Sequence, residues 1–420
     1  MSSRLLPFAV LPLVAGLFAL APRASGDGAV CSISAPASAA LSVQLCLTTP
    51  ADGATITGEE LVTATVAVTP ATKVKFVRFT LDGGYVLTDR YGAAGTFAFV
   101  LPSTAFADGV HVLSAKATVG SFVSDPASIS LIFAGGGPVS GPATFVPTAG
   151  SSPSPGAPVV VASVGDGADG SPAGVAVASL AASWSPNLFL YLGDVYDRGT
   201  VTEFRNWYGA RDRWDALHDV TDPTVGDKEY GTADAAGYMD HWGQPPHSYS
   251  VDVAGWHVVS LDSSSQYAQV AAGTAQYDWL AADLQASAAD CTIVALQNPR
   301  YSNSAIGGTP RLADLWSLLA ANGVDIVLAG DSHTYQRWVP LDGAGNPAPA
   351  GVTEFVVGTG GRPLQRLAST IDPRIAVRSS KWHGALRLEL GDGSAAYTFV
   401  RTPSPGTARD SGTISCSPAV

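Results

Sequence analysis

The chain has 420 residues, which is more than one hydrophobic core usually supports, so we expect at least two domains. Apolar residues make up 46 % of it and charged residues only 14 %, a composition that folds instead of staying disordered. Acidic side chains outnumber basic ones by 35 to 23, giving a net charge of -12. A general affinity for nucleic acid or for anionic lipid is therefore disfavoured.

The first 26 residues have the features of a signal peptide. Arg4 precedes an uncharged apolar run over residues 5–20, and residues 24–26 (Ala-Ser-Gly) are small enough for cleavage. The run is short for a membrane span and contains two prolines, although an uncleaved anchor is the alternative. We expect a secreted or periplasmic protein without a membrane span. An N-terminal segment over residues 27–46 follows the signal peptide.

Export gives the cysteines a structural meaning, because disulfides persist in oxidising compartments. The chain has four cysteines and no Cys-x-x-Cys pair, so two disulfides are expected and a thiolate zinc site is not. Three pairings are possible, and four free thiols are the alternative. Cys31 and Cys46 flank a short Ala/Ser stretch and could close a local loop, in which case Cys416 would tie the tail to a strand that begins at Cys291.

Residues 47–133 have the pattern of a β-sandwich. Gly, Pro and Asp separate apolar runs at intervals of about ten residues; the runs cover residues 61–68, 74–81, 96–101, 110–119 and 127–133. The segments VKFVRFTLDGG and FADGVHVLSAKAT resemble the immunoglobulin-like modules of bacterial surface and secreted enzymes. No residue of this region carries chemistry, so a spacer or binding role is expected, with polysaccharide or cell-surface contact as one form of it.

Residues 134–157 are dominated by Gly, Pro and Ser, which predicts a linker between domains that fold separately. The pattern then changes over residues 158–420. Continuous apolar runs predict buried strands at 159–164, 188–192, 292–296 and 324–329. Helical stretches at 172–183, 202–217, 275–286 and 310–321 lie between or beside them. This alternation predicts an α/β domain.

A polar cluster follows each predicted strand, at the edge where open α/β sheets bind ligands. Together with one loop, the clusters are Asp166, Asp194, Asp227-Lys228-Glu229, Gln297-Asn298 and Asp331-Ser332-His333. Taken alone, each Gly-Asp could be a turn or a helix N-cap. Several converging carboxylates, however, repel one another unless a cation neutralises them, so the set predicts a metal site.

Six segments of this region resemble the calcineurin-like metallophosphoesterases, specifically the secreted branch related to purple acid phosphatases. They are LYLGDVYDRGTVTEFRNWYG, PTVGDKEYGTADAAGYMDHWG, SYSVDVAGWHVVSLDSSS, YDWLAADLQASAADCTIVALQNPRYSNS, VDIVLAGDSHTYQRWVP and VTEFVVGTGGRP. The tail DSGTISC is also similar, which supports pairing Cys291 with Cys416. The resemblance implies a four-layer αββα sandwich after the immunoglobulin-like domain.

The resemblance also implies two divalent metal ions that share a bridging aspartate, activate water and clamp phosphoryl oxygens. Asp166 then matches the first-strand ligand and Asp194 the bridging aspartate. His333 matches the second histidine of the family's Gly-His-x-His segment. Tyr196 matches the tyrosine ligand of the purple enzymes, with one residue fewer after Asp194 than the family has.

Four positions depart from the family's pattern. Asp227 stands for an Asn ligand, Gln297 for a His ligand, and Asp331 for the first histidine of Gly-His-x-His. Lys228 stands for the histidine that contacts the substrate phosphoryl group. The second metal position would therefore have only oxygen ligands, which favour Mg²⁺, Ca²⁺ or Mn²⁺. Alternatively, the Lys228 ammonium fills that position and no metal binds there.

Two functions are compatible with this sequence. The first is an exported metal-dependent phosphoesterase, with one or two divalent ions and a small phosphate ester as substrate. The second is a pseudoenzyme that keeps the fold as a binding or structural protein. Among the seven histidines, His333 is the one that matches a family position. We assign no role in the site to the other six, which are His111, His218, His241, His247, His257 and His383.

Overall fold

The computed structural model describes residues 28–36, 41–135, 144–148, 158–209, 213–264, 268–403 and 407–416. The predicted signal peptide over residues 1–26 and most of the predicted linker lie outside these ranges. Within them, no helix is both long and apolar enough to cross a membrane.

The N-terminal part is a sandwich of two β-sheets. One sheet has the strand order β1-β2-β4-β7, and the other has β3-β10-β8-β5-β6 with β9 paired to β8. The strands are β1 (Val30–Ser34), β2 (Ser42–Thr49), β3 (Ala54–Ile56), β4 (Glu59–Thr69), β5 (Val74–Leu81), β6 (Gly84–Asp89), β7 (Thr96–Pro102), β8 (Gly109–Val119), β9 (Phe122–Val123) and β10 (Ala127–Phe133). Alternate residues of the strands are buried between the sheets, as in the contact of Phe79 with Phe99 at 4.7 Å between ring centroids.

All five predicted strands of this sandwich are present, and the predicted immunoglobulin-like architecture is confirmed. The sandwich also takes in β1 and β2, both of which begin before the predicted start at residue 47. In β2 the apolar residues Val43, Leu45 and Leu47 are buried and alternate with less buried positions, so this strand has the alternation that the prediction overlooked. A disulfide joins Cys31 and Cys46, which lie opposite each other on β1 and β2.

The second part has two mixed β-sheets with helices outside them. The first sheet has the order β13-β12-β11-β21-β22-β23 and the second has β14-β15-β16-β17-β19-β18-β20. The strands are β11 (Val159–Val164), β12 (Leu188–Tyr191), β13 (Thr221–Pro223), β14 (Tyr249–Val253), β15 (Trp256–Leu261), β16 (Cys291–Leu296), β17 (Ile326–Ala329), β18 (Tyr335–Trp338), β19 (Thr353–Val357), β20 (Ile375–Ser379), β21 (Gly384–Gly391), β22 (Ser394–Arg401) and β23 (Thr407–Ser415). The α-helices are α1 (Pro172–Ala182), α2 (Val201–Glu203), α3 (Ala236–Trp242), α4 (Ala275–Ala286) and α5 (Ala313–Ala321).

The alternation of side chains along β16 shows how the layers stack. Ile293 and Ala295 belong to the hydrophobic core that includes the first sheet and α1. Val294 and Leu296 belong to a second core that includes Leu280 of α4 and residues of α5. The order is therefore helix, sheet, sheet, helix, and the predicted four-layer α/β sandwich is confirmed. A disulfide between Cys291 and Cys416 joins the start of β16 to the C-terminal tail.

The predicted helix over residues 202–217 is wrong. The chain forms α2, then a π-helical turn over Phe204–Tyr208, and later a 3-10 helix over Trp214–Val220. Phe204, Tyr208 and Trp214 are buried in one aromatic cluster, in which the rings of Tyr208 and Trp214 stack at 6.5 Å between centroids. Packing of these large rings, together with Gly209 at the end of the π-helical turn, favours local turns over one regular helix.

The two parts of the chain are docked against each other. Val100 of β7 donates its N–H to Asn206 Oδ1 at 2.8 Å, and Asn206 Nδ2 donates back to the carbonyl of Val100 at 2.8 Å. Apolar residues of both parts also belong to one continuous core. The composition of the linker predicted domains that fold separately. The contacts between the domains come instead from the folded surfaces of the two parts that the linker joins.

Candidate functional site

Three aspartates lie where strands of the two central sheets end. Asp166 follows β11, Asp194 follows β12, and Asp331 follows β17. Their φ angles are 60°, 71° and 57°, so each adopts the left-handed conformation that costs most side chains energy and that Asp tolerates better. Such strain concentrates at functional sites, where it fixes the direction of a side chain. The three predicted Gly-Asp sequences thus share one backbone geometry.

Three predicted ligands form one tight group, which we call the tyrosine group: Asp166, Tyr196 and His333. Tyr196 Oη lies 2.7 Å from Asp166 Oδ1 and 2.9 Å from His333 Nε2. His333 Nε2 is also 3.2 Å from Asp166 Oδ1. The structure therefore brings Tyr196 beside two other predicted ligands, despite its shorter spacing from Asp194.

The protonation of His333 suits a ligand. Its Nδ1 lies 3.0 Å from the carbonyl oxygen of Pro363, which can only accept, so Nδ1 carries a hydrogen. A neutral ring of this tautomer has no hydrogen on Nε2, so its lone pair would be available to a cation, whereas a hydrogen bond from Nε2 to Tyr196 or Asp166 needs the protonated ring. Burial lowers the pKa of His333, but the hydrogen bond and the charge of Asp166 outweigh it and the net shift is upward. Burial and the charge of Asp166 raise the pKa of the Tyr196 phenol well above its usual range.

The tyrosine group fits a divalent or trivalent cation. Adjacent ligands of a six-coordinate cation with bonds of about 2.1 Å lie about 3.0 Å apart. The three donor atoms of the group are separated by 2.7, 2.9 and 3.2 Å. Carboxylate, phenol oxygen and imidazole nitrogen together are a donor set that suits transition metals.

A second group surrounds Lys228, and we call it the lysine group: Asp194, Asp227, Lys228 and Gln297. Lys228 Nζ donates to Asp227 Oδ1 at 2.7 Å and lies 3.4 Å from Asp194 Oδ2. Gln297 Nε2 donates to Asp227 Oδ1 at 3.4 Å. Burial lowers the pKa of Lys228, but the charges of Asp194 and Asp227 dominate and raise it, so this side chain stays protonated.

The lysine group does not fit a second metal ion, because an ammonium already stands between its carboxylates. Two buried acceptors there, Asp194 Oδ2 and Gln297 Oε1, receive no hydrogen bond from the described residues. The side chain of Asp194 is only 1 % exposed, and burial raises the pKa of its carboxyl well above the usual range, with the charge of Lys228 acting in the opposite direction. Lys228 thus supplies a positive charge at the second metal position.

Asp331 contacts the tyrosine group through its backbone. Its N–H donates to Asp166 Oδ2 at 2.8 Å. Burial, followed by the charges of Asp166 and Asp227, raises the pKa of its carboxyl to about 6. Near neutral pH without a bound cation, a fraction of this group is therefore protonated.

The predicted ligands do not converge on one point. Among the residues that the structure describes, one set of three Asp, Glu, His or Cys ligand atoms lies within 4.8 Å of one another, and it consists of Cys291, Asp325 and Cys416. The two sulfurs of that set are bonded to each other. Asp166 and His333 lie together with Tyr196, while Asp194 lies with Lys228, so the site divides into the two groups described above.

Glu229 is a functional residue whose role the sequence did not predict. Its buried carboxylate accepts hydrogen bonds from the N–H groups of Gly226 at 2.8 Å, Val195 at 2.6 Å and Asp194 at 3.2 Å. It therefore fixes the two loops that carry the lysine group. A Cβ on Gly226 would lie 2.3 Å from Asp194 Oδ1, which explains the glycine in Gly-Asp-Lys-Glu.

Arg362 is a second such residue, and its only signal in the sequence is the Gly-Gly-Arg-Pro segment. Its guanidinium carbon lies 4.2 Å from the centre of the Tyr196 ring, a cation–π contact. Its Nη2 donates to Asp197 Oδ1 at 3.0 Å. Arg362 thus contacts the tyrosine group through the face of the Tyr196 ring.

The histidines that we left without a role have structural surroundings. His257 lies between the carboxylates of Asp252 and Asp283, at 2.8 and 2.9 Å. His241 is buried among aromatic rings, and burial lowers its pKa to about 3. The rest contact nearby protein groups: His111 with Asp82, His218 with Trp242, His247 with Tyr230, and His383 with the backbone of Arg362.

Comparisons with known proteins bear on the family and the fold. Residues 44–115 match the family described as bacterial Ig domain. Purple acid phosphatase 18 of Arabidopsis thaliana is 35 % identical over 163 residues, covering 36 % of either chain. Purple acid phosphatase 21 of the same plant is 31 % identical over 202 residues, covering 45 % of either chain. The chain thus spans less than half the length of these relatives.

Two solved structures share the fold at low sequence identity. The purple acid phosphatase PPD1 from yellow lupin (Lupinus luteus) seeds superposes with a TM-score of 0.55 at 15 % identity, over 89 % of this chain and 79 % of that one. GAP50, described as the anchor in the inner membrane complex of Plasmodium, has a TM-score of 0.51 at 16 % identity, over 63 % and 90 %. The chain joins a bacterial Ig domain to a fold of the purple acid phosphatase type. The tyrosine and lysine groups lie at the strand ends of that fold.

Proposed function

We propose that the protein is an exported phosphoesterase of the purple acid phosphatase type that works with one metal ion. The ion would be held by the tyrosine group, and the Lys228 ammonium would take the place of the second ion. The observation that carries this proposal is the position of Lys228 Nζ, 2.7 Å from Asp227 Oδ1 and 3.4 Å from Asp194 Oδ2. Export rests on residues 1–26, and a boundary between the two domains within residues 134–157 is proposed with it.

A cation in the tyrosine group would supply Lewis acidity toward a phosphoryl oxygen. The residues of the chain would do the rest. The side chain of Lys228 is 32 % exposed, so its ammonium can reach a phosphoryl oxygen while remaining paired with the two carboxylates. Because those carboxylates raise its pKa, Lys228 is a poor proton donor to a leaving group. We therefore expect slow turnover of small phosphate esters.

The direct test is hydrolysis of an aryl phosphate by the full chain in the presence of Mn²⁺. His333→Ala removes one member of the tyrosine group, and His218→Ala, whose side chain is 42 % exposed, is the matched control. We expect slow hydrolysis that falls roughly a hundredfold in His333→Ala and is unchanged in His218→Ala. Hydrolysis that is equal in both variants would contradict the proposal.

The second candidate is a binding or structural protein without turnover. It is favoured by the replacement of two histidine ligands and one catalytic histidine by Gln297, Asp331 and Lys228. A protein of this fold, GAP50, is described as the anchor in the inner membrane complex of Plasmodium. Binding of phenyl phosphate by calorimetry without any hydrolysis, with or without Mn²⁺, would support this second candidate over the first.

A further inference from the structure

Asp197 binds one arginine from each part of the chain. Its Oδ2 accepts from Arg90 Nη2 of the N-terminal sandwich at 2.7 Å, and its Oδ1 accepts from Arg362 Nη2 at 3.0 Å. The side chains of Arg90, Asp197 and Arg362 are 28 %, 20 % and 19 % exposed, so the cluster is largely shielded from solvent. Arg362 also lies over the ring of Tyr196, the residue that precedes Asp197. Arg90 is therefore connected to Tyr196 both along the chain and through a stacked cation.

The same loop is held at its other end by a buried carboxylate. Glu203 accepts hydrogen bonds from the N–H groups of Asp197, of Arg198 at 2.9 Å and of Thr200 at 3.1 Å. Its Oε1 also accepts from Tyr85 Oη, which belongs to β6 of the N-terminal sandwich, at 2.6 Å. The Thr200 hydroxyl donates to a backbone carbonyl of β6 at 2.7 Å. Strand β6 and the two residues after it thus contact the loop over residues 197–200 and the carboxylate that holds it.

A third contact completes this interface. Tyr91 Oη donates to Asp169 Oδ2 at 3.1 Å. Asp169 Oδ2 also lies 3.6 Å from Arg362 Nη1. Asp169 follows Asp166 by three residues in the loop after β11. Both loops that supply carboxylate and phenol to the tyrosine group therefore have a side-chain contact from the N-terminal sandwich.

We infer that the N-terminal sandwich is part of the site, with Arg90 as a positioning residue for the Tyr196 phenol. The guanidinium of Arg90 holds Asp197, and Asp197 in turn holds Arg362 against the ring. The inference rests on the proposed function in taking Tyr196 as a metal ligand. The positioning itself, however, is measurable without any metal.

Hydrogen exchange of the full chain tests the positioning directly. Arg90→Ala removes the ion pair with Asp197, and Glu59→Ala is the matched control because it removes another ion pair between the two parts, that with Arg205. We expect the amides of residues 197–200 to exchange about tenfold faster in Arg90→Ala and at the unchanged rate in Glu59→Ala. Arg90→Lys should restore most of the protection.

Mn²⁺ binding, measured by equilibrium dialysis of the same variants, tests the consequence for the site. Loss of a group that orients a ligand weakens metal binding by roughly tenfold or more, so Arg90→Ala should show this loss and Glu59→Ala should not. Tyr91→Phe, which removes one hydroxyl, serves as a milder variant if Arg90→Ala does not fold.

Equal exchange of residues 197–200 in Arg90→Ala and Glu59→Ala would overturn the inference. Faster exchange in Arg90→Ala with unchanged Mn²⁺ affinity would also overturn it, because the loop would then be held without consequence for Tyr196. If the unaltered protein binds no Mn²⁺, the proposed function fails, while faster exchange that Arg90→Lys reverses would still support positioning by Arg90.

Discussion

Lys228 Nζ lies 3.4 Å from Asp194 Oδ2, so the ammonium stands beside the carboxylate that two metal ions would share in the family that this chain resembles. Asp194 is almost fully buried, and an unpaired buried carboxylate is costly. A lysine at this position supplies the missing charge without a metal. Three of the four positions that depart from that family's pattern, Asp227, Lys228 and Gln297, lie in contact in the lysine group.

Restoring the family's residues should restore the second metal position. The quadruple change Asp227→Asn, Lys228→His, Gln297→His and Asp331→His is expected to add one metal ion per chain and to raise the rate of aryl phosphate hydrolysis. Each single change should have little effect, because the ligands act together. Metal analysis and kcat/KM for the five variants check this. A quadruple variant with unchanged metal content would contradict it.

Removing the ammonium alone should destabilise the fold and create a demand for a cation. Lys228→Met leaves Asp194 and Asp227 without their partner, and we expect the free energy of unfolding to fall by about 1–3 kcal/mol. Mg²⁺ or Mn²⁺ in the buffer should reverse part of this loss. Denaturant unfolding measures it, with Lys73→Met, at an exposed position, as the control. Equal stability of both variants would show that Lys228 does not compensate the carboxylates.

Stability should decrease from acidic to alkaline pH. Burial raises the pKa of Glu203 and of Asp222 to about 7 and that of Glu354 to about 8. These folded-state pKa values lie above the unfolded values of about 4, so the stabilisation is complete below the unfolded pKa and is lost as the pH rises through the folded pKa. We expect a higher Tm at about pH 5.5 than at about pH 8.5.

The matched variants for this pH dependence are Glu354→Gln and Asp219→Asn. The first removes a buried carboxyl that accepts two backbone hydrogen bonds, and the second removes a fully exposed one. The slope of Tm against pH should become shallower in Glu354→Gln only. A Tm that rises steadily from pH 5.5 to pH 8.5 in the unaltered protein would refute the assignment of these raised pKa values.

The long-range disulfide should contribute strongly to stability. Cys291 and Cys416 are 125 residues apart in the sequence, and a link that closes so long a loop typically adds about 2–5 kcal/mol. The double variant Cys291→Ser with Cys416→Ser should lose this amount in denaturant unfolding. Peptide mapping without reductant should recover the two cysteines in one linked pair. A peptide that links Cys416 to Cys31 would disprove the pairing.

The sequence predicted what depends on local pattern. Strands such as β5 and β11 are found at the predicted residues because their apolar runs are continuous or strictly alternating. The strand-end aspartates were found because Gly-Asp recurs after buried strands. Strand β2 was missed although Val43, Leu45 and Leu47 alternate along it as in the predicted strands. The broken helix after α2 could not be predicted, since tertiary packing of aromatic residues decides it.

The supporting contacts of the site could not be predicted from the sequence. Arg90, Asp197 and Arg362 meet although 107 and 165 residues separate the paired positions, and no spacing rule relates them. The division of the site into the tyrosine group and the lysine group could not be predicted either. This division depends on the direction in which the side chains of Asp194 and Tyr196 leave one short loop, and that direction follows from the backbone conformation.

Metal analysis of the purified full chain, after dialysis against Mn²⁺ or Zn²⁺ and removal of free ions, tests the central claim most directly. The tyrosine group fits one cation, and Lys228 stands where the second would bind. We therefore predict about one ion per chain, lost in His333→Ala. Two ions per chain in the unaltered protein, or none, would contradict the account.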